Sequence, residues 1–234
     1  MIFRIRNGTT NNYWDKRIPF EPLWTEYKRI TKANAAIVLF SQMPFGAELI
    51  MSNRKMYRYE WIWEKNVGLG FLNAKKMPLR CHENILVFYR KLPTYNPQYK
   101  DGEPYKNKRY EDTPHGSTYG NFKYSNNDNE SGKRYPRDVI KVITERPVFG
   151  NREMYHPTQK PVDLLDYLIR TYTNEGELVL DNCIGSGSTA VACVNTGRNF
   201  IGFETDSGYC EVARRRIDEA IAIKKAQPEE AVLF

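Results

Sequence analysis

The run Asp181-Asn182-Cys183-Ile184-Gly185-Ser186-Gly187-Ser188-Thr189 constrains this chain more than any other stretch. It follows an apolar, strand-like Leu178-Val179-Leu180 and opens a small-residue helix at Ala190-Val191-Ala192. A strand, a glycine turn and a helix N-terminus form a cradle for a nucleotide-type cofactor, because glycine lets backbone approach a ligand where a Cβ would collide. A second strand-like run, Asn199-Phe200-Ile201-Gly202-Phe203, ends in Glu204, 19 residues after Gly185. A carboxylate about 20 residues beyond such a turn is placed to meet ribose hydroxyls. The same residues also suit an ordinary β-turn-α corner with Asp181 as a helix cap.

Three ligands compete for the turn. Gly185-Ser186-Gly187-Ser188-Thr189-Ala190 fits the dinucleotide pattern G-x-G-x-x-G/A. A dinucleotide fold, however, needs a second βαβ half, and only 30 residues follow Glu204. A phosphate-binding P-loop needs G-x-x-x-x-G-K-[ST], a string this sequence lacks. S-adenosylmethionine has no phosphates and carries an amino-acid end, so an acid at the strand tip, Asp181, suits its ammonium group, directly or through water.

The upstream segment His156-Pro157-Thr158-Gln159-Lys160-Pro161 precedes an amphipathic pattern, Val162, Leu164, Leu165, Leu168 and Ile169. Taken with Asp-x-x-x-Gly-Ser-Gly-Ser-Thr and Phe-Ile-Gly-Phe-Glu, it resembles the amino-methylating DNA methyltransferases, adenine-N6 and cytosine-N4. The donor motifs follow the substrate half, as in the permuted β group of phages and restriction systems. Gly8-Thr9-Thr10-Asn11-Asn12, Ile18-Pro19-Phe20-Glu21-Pro22-Leu23-Trp24 and Ala36-Ile37-Val38-Leu39-Phe40 are similar to the stretch after that family's catalytic motif. Tyr59-Glu60-Trp61-Ile62-Trp63-Glu64-Lys65 and His82-Glu83-Asn84-Ile85-Leu86-Val87-Phe88 are similar to its later strands.

The resemblance implies an α/β, Rossmann-like S-adenosylmethionine-dependent methyltransferase fold, a mostly parallel sheet with helices on both faces. It implies methyl transfer from S-adenosylmethionine to an exocyclic amine of double-stranded DNA, adenine N6 ahead of cytosine N4. Asp181, Gly185 and Gly187 would form the donor loop, with Thr189 at the helix start. Glu204 would hold the ribose, Phe203 would lie against the adenine, and Thr158 and Lys160 would line the methionine end.

The family's amine-holding tetrapeptide, Asp/Ser/Asn-Pro-Pro-Tyr/Phe/Trp, is missing. Its slot before Gly8 holds Arg4-Ile5-Arg6-Asn7. An arginine cannot accept a hydrogen bond from an amine, and an asparagine is no aromatic stacking platform. The catalytic residues are therefore unassigned. The abrupt loss of similarity before Gly8 suggests an N-terminally shortened chain in which Met1 to Ile5 serve as a stunted replacement strand. Alone, such a chain is expected to bind donor poorly and to methylate little or not at all. A companion N-terminal fragment and a homodimer are the protein partners this organisation allows. The other readings are a non-catalytic DNA-binding or regulatory remnant and an NAD-dependent oxidoreductase.

The predicted domains are a substrate half over 1–94, a target-recognition insert over 95–150, a donor-binding half over 151–223 and a tail over 224–234. Helices are expected over 16–33 and 47–52, and strands over 35–40, 57–64 and 84–89. From about Leu92 to Pro136 the pattern dissolves into a stretch with seven of the 16 tyrosines, too long for a normal connection. Tyrosines among basic groups suit contacts to bases and phosphates. Charge is uneven: residues 1–94 carry 16 Lys/Arg against 7 Asp/Glu, whereas 151–234 carry 9 against 13. A polyanion would dock on the first part. No apolar run is long enough to span a membrane, and Met1 to Asn7 lack a signal peptide's apolar core, so a cytoplasmic location is expected. The four cysteines form no C-x-x-C pair and the three histidines are scattered, so no metal site is expected. No cysteine follows a proline, which argues against cytosine-C5 methylation.

Overall fold

A computed structural model describes residues 2–3, 18–106, 128–143 and 158–226. It divides into two compact units, one of residues 1–96 with 138–234 and one of Pro97–Arg137. The first unit is built on a seven-stranded sheet. Its strands are β1 (Ile2–Phe3), β2 (Ile37–Ser41), β3 (Tyr57–Leu69), β4 (Arg80–Phe88), β5 (Val139–Lys141), β6 (Leu178–Asp181) and β7 (Asn199–Gly202). The helices are α1 (Phe20–Ile30), α2 (Phe45–Ser52), α3 (Val162–Tyr172), α4 (Ser188–Thr196) and α5 (Ser207–Ala226).

The strand order is β5-β3-β4-β2-β1-β6-β7. β1 pairs in parallel with β2 and β6, β6 with β7, and β3 with β5. The sheet is mostly parallel, as expected; among the described strands β4 alone runs against its neighbours, antiparallel to both β2 and β3. The connection between β3 and β4 covers only residues 70–79, shorter than the dozen or more residues a parallel crossover requires. These two strands also run longer than their aromatic and aliphatic cores suggest, because neither far end carries a buried apolar residue.

Alternation along the central strands feeds two cores. Val38, Phe40, Ile85, Val87, Trp61 and Trp63 face one side, where Leu164, Leu165, Leu168 and Ile169 of α3 and Ala192 and Cys193 of α4 cover them. Ile37, Leu39, Leu86 and Phe88 face the other, under Leu23, Trp24 and Tyr27 of α1 and Phe45 and Leu49 of α2. A strand buried on both faces reads as a continuous apolar run, which is why Ile37 to Phe40 was legible as one. Each fully buried aliphatic side chain contributes roughly 1.5–3 kcal/mol. Pro161 sits at the N-cap of α3, and Val162 begins the helix. Asn96 closes its other end, its Nδ2 donating to the carbonyls of Arg170 and Thr173 at 3.1 Å each.

The parallel strands end on one edge: Asp181, Gly202 and Ser41 are the last residues of β6, β7 and β2. That is the edge at which ligands bind in open α/β sheets. In the second unit, Lys100 bridges Arg134 and Tyr105 bridges Asn129, and the Tyr99 and Tyr135 rings lie 5.0 Å apart. The insert read over 95–150 thus contains this unit, while Val139–Lys141 belong to the main sheet. The slot at Arg4–Asn7, the Gly8–Asn12 stretch and the His156-Pro157 half of the upstream motif lie outside the described residues.

Candidate functional site

The turn after β6 is organised by a carboxylate. Asp181 is 1% exposed. Its Oδ1 accepts from the Cys183 backbone N–H at 3.0 Å, and its Oδ2 from the Thr189 hydroxyl at 2.6 Å. One side chain thereby ties the strand tip to the first turn of α4. The N-cap of that helix, Gly187, has no side chain to cap it and sits at φ +83°. A Cβ there would also lie 3.0 Å from both Cα and Cβ of Ala213 in α5. Backbone conformation and packing both demand glycine.

Beyond β7 the pairing with the turn continues. Phe203 N–H donates to Asp181 O, and Ile184 N–H donates to Phe203 O, each at 3.0 Å. This lays Glu204 against the glycine turn. Its Oε2 accepts from Gly185 N–H at 3.0 Å, and its Oε1 accepts from the backbone N–H groups of Thr205 at 2.7 Å and Asp206 at 3.1 Å. With the Thr205 hydroxyl donating to Oε1 at 3.4 Å as well, the carboxylate is fixed against the glycine turn. The adjacent Phe203 is 59% exposed, a ring open to stacking.

The upstream motif meets this turn. Ser186 Oγ donates to Gln159 Oε1 at 2.9 Å. Phe40, Gln159, Lys160, Ile184, Ser186 and Thr189 line a cleft. Lys160 Nζ donates to Glu83 Oε2 at 2.7 Å, and Lys65 Nζ to Glu83 Oε1 at 2.5 Å. Lys160 also lies over the Phe40 ring at 5.2 Å and the Trp63 ring at 5.7 Å. Burial by itself would raise the Glu83 carboxyl, but the ammonium groups of Lys160 and Lys65 outweigh it and hold the group below its ordinary value. Two cations share one buried anion, so the cluster carries a net positive charge at the cleft wall. Thr158 is half-buried at the start of the same segment.

Three positioning residues escape sequence reasoning. Arg216 of α5, 9% exposed, donates through Nη1 to Ser186 O at 2.7 Å and to the hydroxyls of Ser186 and Ser188 at 3.1 Å each. The signal for it was present: Ala213, Arg216 and Ala220 share the buried face of α5 at helical spacing. Tyr27 of α1 donates its hydroxyl to Asn182 Oδ1 at 3.0 Å. Burial, and then Cys183 and Asp181, push its phenol above the ordinary range, so it stays a donor. Glu83 looked like one polar residue of a strand, and only the fold reveals its two lysine partners.

A family model described as DNA methylase, for the N6/N4 methyltransferases, matches residues 5–215. The type II methyltransferase M2.DpnII of Streptococcus pneumoniae is 44% identical over 63 residues, 27% of this chain and 24% of that protein. The type II methyltransferase M.HpaI of Haemophilus parainfluenzae is 28% identical over 220 residues, 90% of this chain and 63% of that one. The chain thus spans less than two thirds of either relative. The crystal structure of an M1.HpyAVI-SAM complex superposes with a TM-score of 0.58 at 22% identity, over 93% of this chain and 87% of that one, and so shares the fold. Since the family match runs through both the upstream strands and the glycine turn with its acidic partner, the chain belongs to the N6/N4 DNA methylase family.

Proposed function

We propose that the chain forms the donor-binding and DNA-facing body of an amino-methylating DNA methyltransferase, with S-adenosylmethionine as donor and an exocyclic amine of double-stranded DNA as acceptor, adenine N6 ahead of cytosine N4. The contact between Gly185 N–H and Glu204 Oε2 carries this reading, because it sets a ribose-binding carboxylate against a turn where Cβ atoms are excluded. The residues fit the donor: Glu204 for the ribose, Phe203 for the adenine face, and Lys160 with Thr158 for the methionine end. The net positive Lys65–Glu83–Lys160 cluster complements a carboxylate. Asp181 acts first as the anchor of the turn, and its charge favours the donor's ammonium end.

The donor supplies an electrophilic methyl group. An exocyclic amine is a poor nucleophile because its lone pair is delocalised into the ring, and the target base must leave the duplex to reach the methyl. Residues 4–7 provide neither the acidic or amide first position nor the aromatic platform that the reaction uses in this family. The chain alone is therefore expected to transfer methyl groups slowly or not at all, and a companion fragment bringing those groups would raise the rate. No described helix is long and apolar enough to cross a membrane; a DNA substrate suits a cytoplasmic protein.

The test is tritiated-methyl transfer to duplex DNA, with donor-product binding measured by calorimetry in the same preparation. Saturable binding of S-adenosylhomocysteine with little transfer supports the reading. Robust transfer abolished by Asp181→Ala would overturn the claim of low activity. Absence of donor-product binding would overturn the whole reading.

A further inference from the structure

The hairpin of β3 and β4 overhangs the donor edge of the sheet. Phe3 of β1 is level with Asp181 of β6 and with Val38 of β2, and Val38 is level with Val87 of β4. β2 stops at Ser41, opposite Asn84, but β4 starts at Arg80. The hairpin therefore continues roughly 20 Å past the level of Asp181, at about 3.3 Å per residue. It is an ordered arm. Leu69 pairs with Arg80 near the tip, and a Cβ on Gly68 would lie 2.7 Å from Leu79 Cβ, so the two strands are in close contact there. At its root, Glu83 is locked between Lys65 and Lys160.

The tip has an unusual surface. Every residue from Gly70 to His82 is exposed. Leu72 is 98% exposed, Phe71 79% and Met77 55%. Beside them, Asn66 to His82 contain Lys75, Lys76 and Arg80 and no acidic residue. A run of large apolar side chains left in water marks an interaction site. A basic, acid-free frame around it fits a polyanion. Apolar wedges flanked by cations are the means by which proteins open a base step in duplex DNA.

We propose that the β3–β4 tip is a DNA-contacting wedge, in which Lys75, Lys76 and Arg80 hold phosphates while Phe71 and Leu72 press into a base step beside the target nucleotide. The proposal rests on the DNA reading above and adds to it a specific contact element. Its position follows from the sheet register: a duplex presenting a base to the edge at Asp181 must lie along the side from which this arm extends. Opening a neighbouring step would lower the cost of swinging the target base out.

The test uses the full chain and a fluorescein-labelled duplex of about 30 base pairs followed by anisotropy at several salt concentrations. Two double variants are compared with the parent, Lys75→Ala with Lys76→Ala, and Phe71→Ser with Leu72→Ser. Calorimetry with S-adenosylhomocysteine and sedimentation of each protein are run in parallel. The basic variant should bind more weakly, with a salt slope lower by about two. The apolar variant should lose about tenfold in affinity with its salt slope unchanged. Both should bind S-adenosylhomocysteine like the parent. Parent-like DNA binding by both variants would overturn the proposal. So would a change confined to sedimentation, which would assign the tip to a second copy of the chain, or to co-sedimentation with anionic vesicles, which would assign it to a lipid surface. A parent that binds S-adenosylhomocysteine but no duplex would remove the DNA reading itself; duplex binding insensitive to both variants would remove only the wedge.

Discussion

Lys160 and Glu83, 77 residues apart in sequence, are joined at 2.7 Å in a partly water-excluded cluster. Glu83 holds Lys65 with its other oxygen. The cleft beside the glycine turn is thus braced by an anion on an antiparallel strand that contributes no residue to that turn. Glu83→Gln would take the shared carboxylate away from two largely buried ammonium groups, and loss of one partner from such a pair costs about 3 kcal/mol. The sign with pH follows from the depressed carboxyl. The stabilisation is fully present above the unfolded-state value near ~4.3 and is lost as pH falls through the folded-state value. Urea denaturation should therefore show a wide gap between parent and variant at neutral pH that closes in acid.

Asp166 has the opposite signature. Burial raises its carboxyl to about 6, only partly opposed by Arg170, and its Oδ1 has no hydrogen-bond partner among the described residues. A raised carboxyl means that the folded state binds the proton more tightly, so this group's contribution to stability improves as pH falls from about 7 towards 4. Asp166→Asn should raise the melting temperature at pH 8, with the gain vanishing near pH 4. Thermal melts across that range check it.

Two glycines at positive φ should respond differently to alanine. Gly187, at φ +83°, faces Ala213 of α5 at 3.0 Å, whereas Gly197, at φ +73°, has nothing nearer than 3.7 Å. Gly197→Ala carries only the backbone penalty, about 1 kcal/mol. Gly187→Ala adds a collision between a turn and a helix and should cost about twice as much. It should also weaken S-adenosylhomocysteine binding, which Gly197→Ala should leave intact. Denaturation and calorimetry on the two variants separate the effects.

Much of this site was legible in the sequence because its parts are local. Asp181, Gly185, Gly187 and Thr189 lie within one strand-turn-helix corner, and Glu204 follows the very next strand by two residues, so spacing alone placed them together. The two-sided burial of Ile37 to Phe40 and the helical phase of Leu164, Leu165, Leu168 and Ile169 were equally local signals. What stayed hidden depends on distant pairing. Glu83 and Lys65 meet Lys160 only because a short connection forces β4 to run antiparallel. The overhang of β3 and β4 follows from where β2 stops, and no local pattern reports that.

Arg216 tests how far the turn depends on such remote support. Arg216→Met keeps the aliphatic stem and removes the donors to Ser186 O, Ser186 Oγ and Ser188 Oγ. Leaving these buried acceptors without their partner should cost about 2 kcal/mol. Because Ser186 also donates to Gln159, loosening it should weaken S-adenosylhomocysteine binding as well. Arg216→Lys should restore part of both losses.

The most direct measurement is a calorimetric titration of S-adenosylhomocysteine into the parent chain and into Glu204→Ala, with NAD in parallel. The predicted result is weak but saturable binding by the parent, a loss of about tenfold or more in Glu204→Ala, and no heat with NAD. Saturable binding that survives intact in Glu204→Ala, or binding of NAD in place of S-adenosylhomocysteine, would contradict a donor site built on the Gly185–Glu204 contact.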